Sequence, residues 1–246
     1  MNMATRFLRL PLSAVSILLV VLPGHALAQK AKDVSIGFFL QEGGGSLVCR
    51  NIQAVGCSDQ NAVVSGKVLQ DYFAIACVFN ASTKDFNPSD YGISGVEFGI
   101  TYDGSSQSGV DILSWTVCAD GLEIASDNWP DSGSGNIITW IVDRDTGEGC
   151  QENVPGSPDD GVTAIIGFFS LTAYSTDRLA VTPNRTVATP ALQVTTCPEG
   201  IQYDINPNEQ AGYVGFSSDL SEKGLIPCVH HVGETTWGRI KSTYGH

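Results

Sequence analysis

The groups in this 246-residue chain that could do chemistry are seven cysteines, four histidines and 26 carboxylates. Nucleophilic catalysis by a serine needs a histidine that is itself oriented by a third group. Beyond His25, the histidines are His230, His231 and His246, all late in the chain and none beside a recognisable partner. The sequence contains no Gly-x-Ser-x-Gly elbow, no His-Glu-x-x-His pair and no glycine-rich phosphate loop. Two carboxylates could hydrolyse a glycoside, but that requires a spatial separation of about 5–10 Å which spacing along a chain does not define. The expectation is a protein that is not an enzyme. A hydrolase with unrecognised carboxylates is the remoter alternative.

Calcium is the metal that the carboxylates could hold. It takes about 6–8 oxygen ligands, many of them from loops. Asp143, Asp145 and Glu148 fall together in "DRDTGE", and Asp127, Asn128 and Asp131 fall together in "DNWPD". The first stretch departs from an EF-hand, with Glu148 at the sixth position in place of glycine and Val154 at the twelfth. Solvated acidic turns account for both stretches, so no cofactor is expected, with calcium at Asp143, Asp145 and Glu148 as the alternative.

The cysteines sit at positions 49, 57, 77, 118, 150, 197 and 228. There is no Cys-x-x-Cys pair and only Cys228 lies near histidines, which argues against zinc. An exported chain meets oxidising conditions, so disulfides are expected, with one thiol left over. In "DYFAIACVF", Phe73, Ile75, Cys77 and Phe79 share one face of a strand, and that face reads as core. Cys77 is therefore the expected free thiol. In "ILSWTVCAD", Leu113, Trp115 and Val117 read as inward and Cys118 as outward. Cys150 follows another strand by a short turn, which suggests Cys118–Cys150. Cys49–Cys57 would then close a local loop, and Cys197–Cys228 would pin the tail by elimination.

The elements that must position these residues are short strands. Apolar runs bounded by Gly, Asp, Asn, Ser or Pro fall at 34–40, 62–69, 72–79, 93–101, 112–118, 137–142, 163–173 and 179–182. Weaker ones fall at 192–195, 201–203 and 213–216. No window before the last dozen residues shows helical spacing. The fold class expected is all-β, an antiparallel β-sandwich. Trp115 and Trp140 lie within strands and read as core. Trp129, in the polar loop "SDNWPDSGSGN", is the residue that could stack on a sugar. Sequons occur at Asn80 and Asn184.

Residues 1–28 read as a signal peptide. Arg6 and Arg9 precede an apolar run, and Ala26-Leu27-Ala28 supplies the small residues of a cleavage site. That run is shorter than the ~20 residues of a membrane span. The expected domains are 1–28 signal peptide, 29–218 sandwich and 219–246 tail, with the product secreted or at the cell surface. Without residues 1–28 the chain has 11 basic against 26 acidic residues. From Asp85 to Asp160 there are 15 acidic residues and one basic residue, Arg144. Such a surface repels phosphate backbones, so nucleic acid is not an expected partner.

"GVEFGITYD" (Gly95 to Asp103) followed by "VDILSWTV" resembles the cohesin-type modules, secreted bacterial β-sandwiches related in fold to carbohydrate-binding modules. "GNIITWIVD" and "VTAIIGFFSLTAYSTDRLAVTP" continue the similarity, which spans about residues 34 to 195 and lies in strand order more than in identities. Here "GSSQSG" follows the Tyr-Asp where cohesins have a proline-containing turn, so dockerin binding is not carried over. The resemblance implies a cohesin-like or jelly-roll sandwich.

The function expected is extracellular adhesion, scaffolding or assembly, with a protein or polysaccharide as partner and a carbohydrate-binding module using Trp129 as the alternative. The chain closes on "ETTWGRIKSTYGH", a tail expected to be helical or disordered. Trp237, Ile240 and Tyr244 share a helical spacing, with Arg239 and Lys241 off that face. Thr-Trp-Gly-x-x-Lys endings of this kind resemble those of exported proteins of uncultured bacteria. The tail is expected to act as a tag read by export or surface-attachment machinery through Trp237, Ile240, Arg239 and Lys241.

Overall fold

A computed structural model of the chain describes residues 29–30, 34–53, 55, 62–81, 92–104, 107–143, 145–152 and 162–227. The tail residues Trp237, Arg239, Ile240 and Lys241 and the signal peptide lie outside them, as do Cys57 and Cys228. Within the described residues the chain is all-β. Its one helical turn is a 3-10 turn at Cys49–Asn51.

Among the described residues, fourteen strands form two sheets. They are β1 (Gln29–Lys30), β2 (Ser35–Glu42), β3 (Ser65–Gly66), β4 (Asp71–Ala81), β5 (Gly92–Thr101), β6 (Val110–Val117) and β7 (Glu123–Ala125). The remainder are β8 (Gly135–Thr139), β9 (Gln151–Glu152), β10 (Val162–Ala173), β11 (Asp177–Thr182), β12 (Gln193–Cys197), β13 (Gln202–Asp204) and β14 (Tyr213–Phe216). The small sheet is fully antiparallel, in the order β2-β4-β10-β6. The large sheet runs β1-β13-β12-β5-β11-β14-β3, and β8 and β9 pair with the other edge of β5. β7 pairs with β8. The large sheet is mixed: β1 joins β13 and β3 joins β14 in parallel.

The strands sit where the apolar runs place them. The run at 62–69 is the exception, contracting to the two residues of β3. β7 and β9 are too short for a period-two pattern to reveal them. The polar stretch from 144 to 161 contains β9, which pairs with the start of β5.

Between the sheets lies one core, in which Phe38, Phe98, Phe169, Ile138, Val194 and Tyr203 are fully or almost fully buried. Phe169 packs against the rings of Phe38, Trp115 and Trp129. Trp140 belongs to this core, and Trp115 packs on its margin.

β4 departs from the simple alternation, because both its faces are buried. Tyr72, Ala74, Ala76 and Val78 face the inter-sheet core. Phe73, Ile75, Cys77 and Phe79 point the other way, under a second cluster with Phe39, Ile52 and Phe168. The run Leu47 to Val55 and Ile226 cover that outer face. The most apolar face of β4 is thus buried, but it is not the face between the sheets. Small side chains on the inner face let the sheets approach, and the large ones fill the space beneath the covering segment.

Cys77 is free and buried in this second cluster. Burial without a countercharge pushes its thiol pKa upward, which holds it protonated and unreactive. The disulfides differ from the expected ones. Cys49 bonds Cys118, with Cα atoms 5.4 Å apart, and Cys150 bonds Cys197 at 5.8 Å. These bonds replace Cys118–Cys150, Cys49–Cys57 and Cys197–Cys228. Cys118 does point away from the main core, as its strand register implies, but into the covering segment that carries Cys49. β9 draws Cys150 to the start of β5, where Cys197 pairs with Gly92 from β12.

Leu113 is a second correction. The β6–β10 register slips between Ser170 and Leu171, which oppose Ser114 and Ile112, so Leu113 is left unpaired in a bulge. It is 63% exposed, while Trp115 and Val117 still pack on the core. A bulge shifts the alternation by one residue, and a sequence pattern carries no mark of it.

Residues 219–227, expected as tail, belong to the sandwich. Leu225 bridges to Tyr213. The guanidinium of Arg178 lies 4.9 Å over the Tyr213 ring and pairs with Glu222.

Candidate functional site

The outer face of the large sheet is covered around Gly135 and Glu97 by the loop that carries Asn184, and is open at its β7 end. Register places its side chains in rows across the strands. One row is Ile124, Ile137, Glu97, Gln193 and Asp204, from β7 through β8, β5 and β12 to β13. The next is Thr139, Gly95, Thr195 and Gln202. The alternate row, Glu123, Ile138, Val96, Val194 and Tyr203, faces the sandwich. Four of its five residues are buried in the core.

The β7–β8 end of this face is apolar. Leu122, Ile124 and Ile141 are 59%, 53% and 65% exposed. A groove of about 460 Å³ opens beside Ile124, lined also by Ile137 and Val187 with Ser126, Asp127 and Asn184. A smaller trough of about 290 Å³ lies over Gly95, between Thr139, Trp140 and Thr195. Glycine at 95 leaves the floor of that trough flat.

Asn184 ties the groove together. It is 2% exposed. Its Nδ2 donates to Glu97 Oε1 at 3.1 Å, and its Oδ1 accepts from the Thr186 backbone N–H at 3.1 Å and hydroxyl at 2.6 Å. Only glycine fits at 135, because a Cβ there would lie 1.9 Å from Asn184 Oδ1. The sequon at Asn184 is therefore spent on structure, and its amide nitrogen is not presented to solvent. Partial burial raises the pKa of the Glu97 carboxyl from 4.5, partly offset by the Asn184 bond.

At the open side of the sandwich, Glu123 joins the two sheets. Its Oε1 accepts from Trp115 Nε1 at 2.8 Å and from Asn136 Nδ2 at 2.7 Å.

Trp129 does not form a sugar platform. Its ring meets Phe98 and Trp115 edge to face, at 5.5 and 5.4 Å between centroids. The indole N–H is buried without a protein acceptor. Burying roughly 150 Å² of ring gains about 4 kcal/mol, which outweighs the ~1–3 kcal/mol lost on an unpaired N–H. The polar neighbours in sequence belong to a turn in which Asn128 and Asp131 are exposed while the indole plugs the end of the core.

Asp143, Asp145 and Glu148 do not converge. Asp143 Oδ1 accepts the backbone N–H groups of Asp145 and Thr146, at 2.9 and 3.2 Å. Those bonds hold its pKa below the ordinary value. Among the described residues no group of three or more His, Cys, Asp or Glu side chains is placed to hold a metal. Asp127, Asn128 and Asp131 form a turn, with the Asp131 N–H donating to the Asn128 carbonyl.

The exposed apolar edge escaped sequence reasoning because Ile124 lies on a three-residue strand and Leu122 just before it. Their alternation with Glu123 was the available signal.

The strand order defines an antiparallel-cored β-sandwich. No protein-family model matches the chain, and no curated protein does. Among solved structures, the chain is similar to a cohesin module of a family 33 glycoside hydrolase from Clostridium perfringens. That match has 9% identity and a TM-score of 0.41, covering 75% of this chain and 96% of the module. It is also similar to a type II cohesin domain from the cellulosome of Acetivibrio cellulolyticus, at 12% identity and a TM-score of 0.42, covering 77% and 98%. A third similar structure is a type I cohesin in a cohesin–dockerin complex from Clostridium thermocellum, at 11% identity and a TM-score of 0.37, covering 63% and 88%.

Proposed function

We propose that the chain is a secreted, non-catalytic sandwich that docks another macromolecule at the cell exterior through the outer face of β7-β8-β5-β12. One observation carries this reading: Leu122, Ile124 and Ile141 are exposed along the β7–β8 margin of a sheet face whose opposite number, on the small sheet, is covered. Contiguous exposed apolar surface rimmed by polar groups marks an interaction site. A protein partner fits better than a sugar, since the row holds branched aliphatics and Trp129 is turned into the core. Secretion is supported by the signal-like residues 1–28 and by the disulfides.

The test is retention of the mature protein on cell-surface material from its source, read alongside a polysaccharide panel. Ile124→Asp, at an exposed position, should leave the melting temperature within a few degrees and cut retention at least about tenfold, the loss of one interface anchor. Unchanged retention, or retention by polysaccharide alone, would overturn the reading.

A further inference from the structure

Two bonded pairs and the buried thiol of Cys77 account for five of the seven cysteines. Cys57 and Cys228 remain. The described chain comes within two residues of the first, at Val55, and within one of the second, at Pro227. Those neighbours bound where each cysteine can be.

The chain on either side of Cys57 is anchored on the small sheet. Cys49 is bonded to Cys118, just past the end of β6, and Ile52 and Val55 belong to the second cluster. At Val63 the chain is beside β2, where the Leu40 N–H donates to the Val63 carbonyl at 2.6 Å. Val64 then accepts from the Gly215 N–H of β14 at 3.0 Å. The stretch before Cys228 runs along this same seam between the sheets. The Gly224 N–H donates to Ser65 Oγ at 3.2 Å, and Leu225 bridges to Tyr213. Ile226 packs on the second cluster, as Val55 does. A Cβ at Gly37 of β2 would lie 3.6 Å from Pro227 Cδ and 3.5 Å from the ring of Phe79, a member of that cluster. One Cα step is ~3.8 Å, so Cys57 is at most ~7.6 Å from Val55 and Cys228 ~3.8 Å from Pro227. Both cysteines are held to the same apolar cluster on the same face, and a disulfide needs their Cα atoms about 4.4–6.8 Å apart.

We propose that Cys57 and Cys228 form a third disulfide, which ties the far end of the covering segment to the last stretch of the sandwich. Each thiol loses its proton, the two sulfurs join, and the two electrons pass to a disulfide oxidant that leaves as two thiols. The same reaction makes Cys49–Cys118 and Cys150–Cys197. With Cys49 bonded at one end and Cys57 at the other, the cover over Phe79, Phe168 and Cys77 is held on both sides. Cys77 itself takes no part, because burial keeps its thiol protonated and out of reach.

Thiol counting on the full mature chain, residues 29–246, tests this. The protein is denatured without reductant, with a chelator and iodoacetamide present, and weighed intact. One label is expected, on Cys77, and a non-reducing digest should yield a peptide linking Cys57 to Cys228. Three labels would overturn the proposal, whether the two thiols had been free or had held a metal with His230 and His231. A peptide joining Cys57 or Cys228 to any other cysteine, or to a second chain, would overturn it too. Cys57→Ser should raise the count from one label to two by releasing Cys228; a count that stays at one contradicts the pairing. In the folded protein, Cys57→Ser with Cys228→Ser should let a thiol reagent reach Cys77 at least about tenfold faster, since opening the cover then requires no bond to break. An unchanged rate would overturn the claim that this bond holds the cover.

Discussion

The two outer faces of this sandwich carry comparable apolar side chains and meet opposite fates. On the small sheet, Phe39, Phe73, Phe79 and Phe168 lie under the segment from Leu47 to Val55, stapled by Cys49–Cys118. On the large sheet, Leu122, Ile124 and Ile141 have no such cover among the described residues. Burial of a face is thus set by chain that comes from elsewhere, not by the strand's own alternation. The closed face contributes stability, and the open one leaves its apolar side chains in contact with solvent.

Substitutions can break this contrast, starting where the effect is largest. Phe168→Ala under the covering segment should destabilise by about 3–5 kcal/mol, as a true core truncation does. Its ring packs edge to face on Phe73 at 5.6 Å. A loss near 0.5 kcal/mol in chemical denaturation would mean that the cover is loose. Removing the staple with Cys49→Ser and Cys118→Ser together should cost about 2–5 kcal/mol and expose the second cluster to a hydrophobic dye. Peptide mapping without reductant should return Cys49–Cys118, Cys150–Cys197 and an unlinked Cys77.

On the open face, Asn184→Ala should cost about 1–3 kcal/mol, because it strands Glu97 and the Thr186 groups without their partner. Glu97 gives a smaller, pH-dependent effect. Its pKa is raised on folding, so its ionisation penalises the folded state as pH rises through that value, and the penalty is absent below the ordinary carboxylate range. Glu97→Gln keeps an acceptor for Asn184. It should melt higher than wild type at neutral pH and match it at the acidic end. An unchanged difference across the range would show that the carboxylate is not desolvated. Ile124→Ala should be smallest of all, within about 0.5 kcal/mol in stability.

Most strands were legible because period-two patterns bounded by turn residues need only local sequence. β5 and β10 lie within a residue of the runs that announced them. What was not legible depended on distant chain. The partner of Cys118 is 69 residues away, carried by a covering segment with no pattern of its own. Trp129 sits in a polar turn, yet its neighbours in space are aromatic. Leu113 reads as inward until a bulge turns it out. The exposed apolar edge hid for the same reason, since a three-residue strand is exposed or buried according to what lies over it.

Amide hydrogen exchange of the mature protein, alone and bound to its cell-surface material, tests the central claim most directly. The account predicts new protection across β7 and β8, residues 123–139, with the covering segment at 47–53 unchanged. Protection confined to that covering segment, or none on either face, would contradict it.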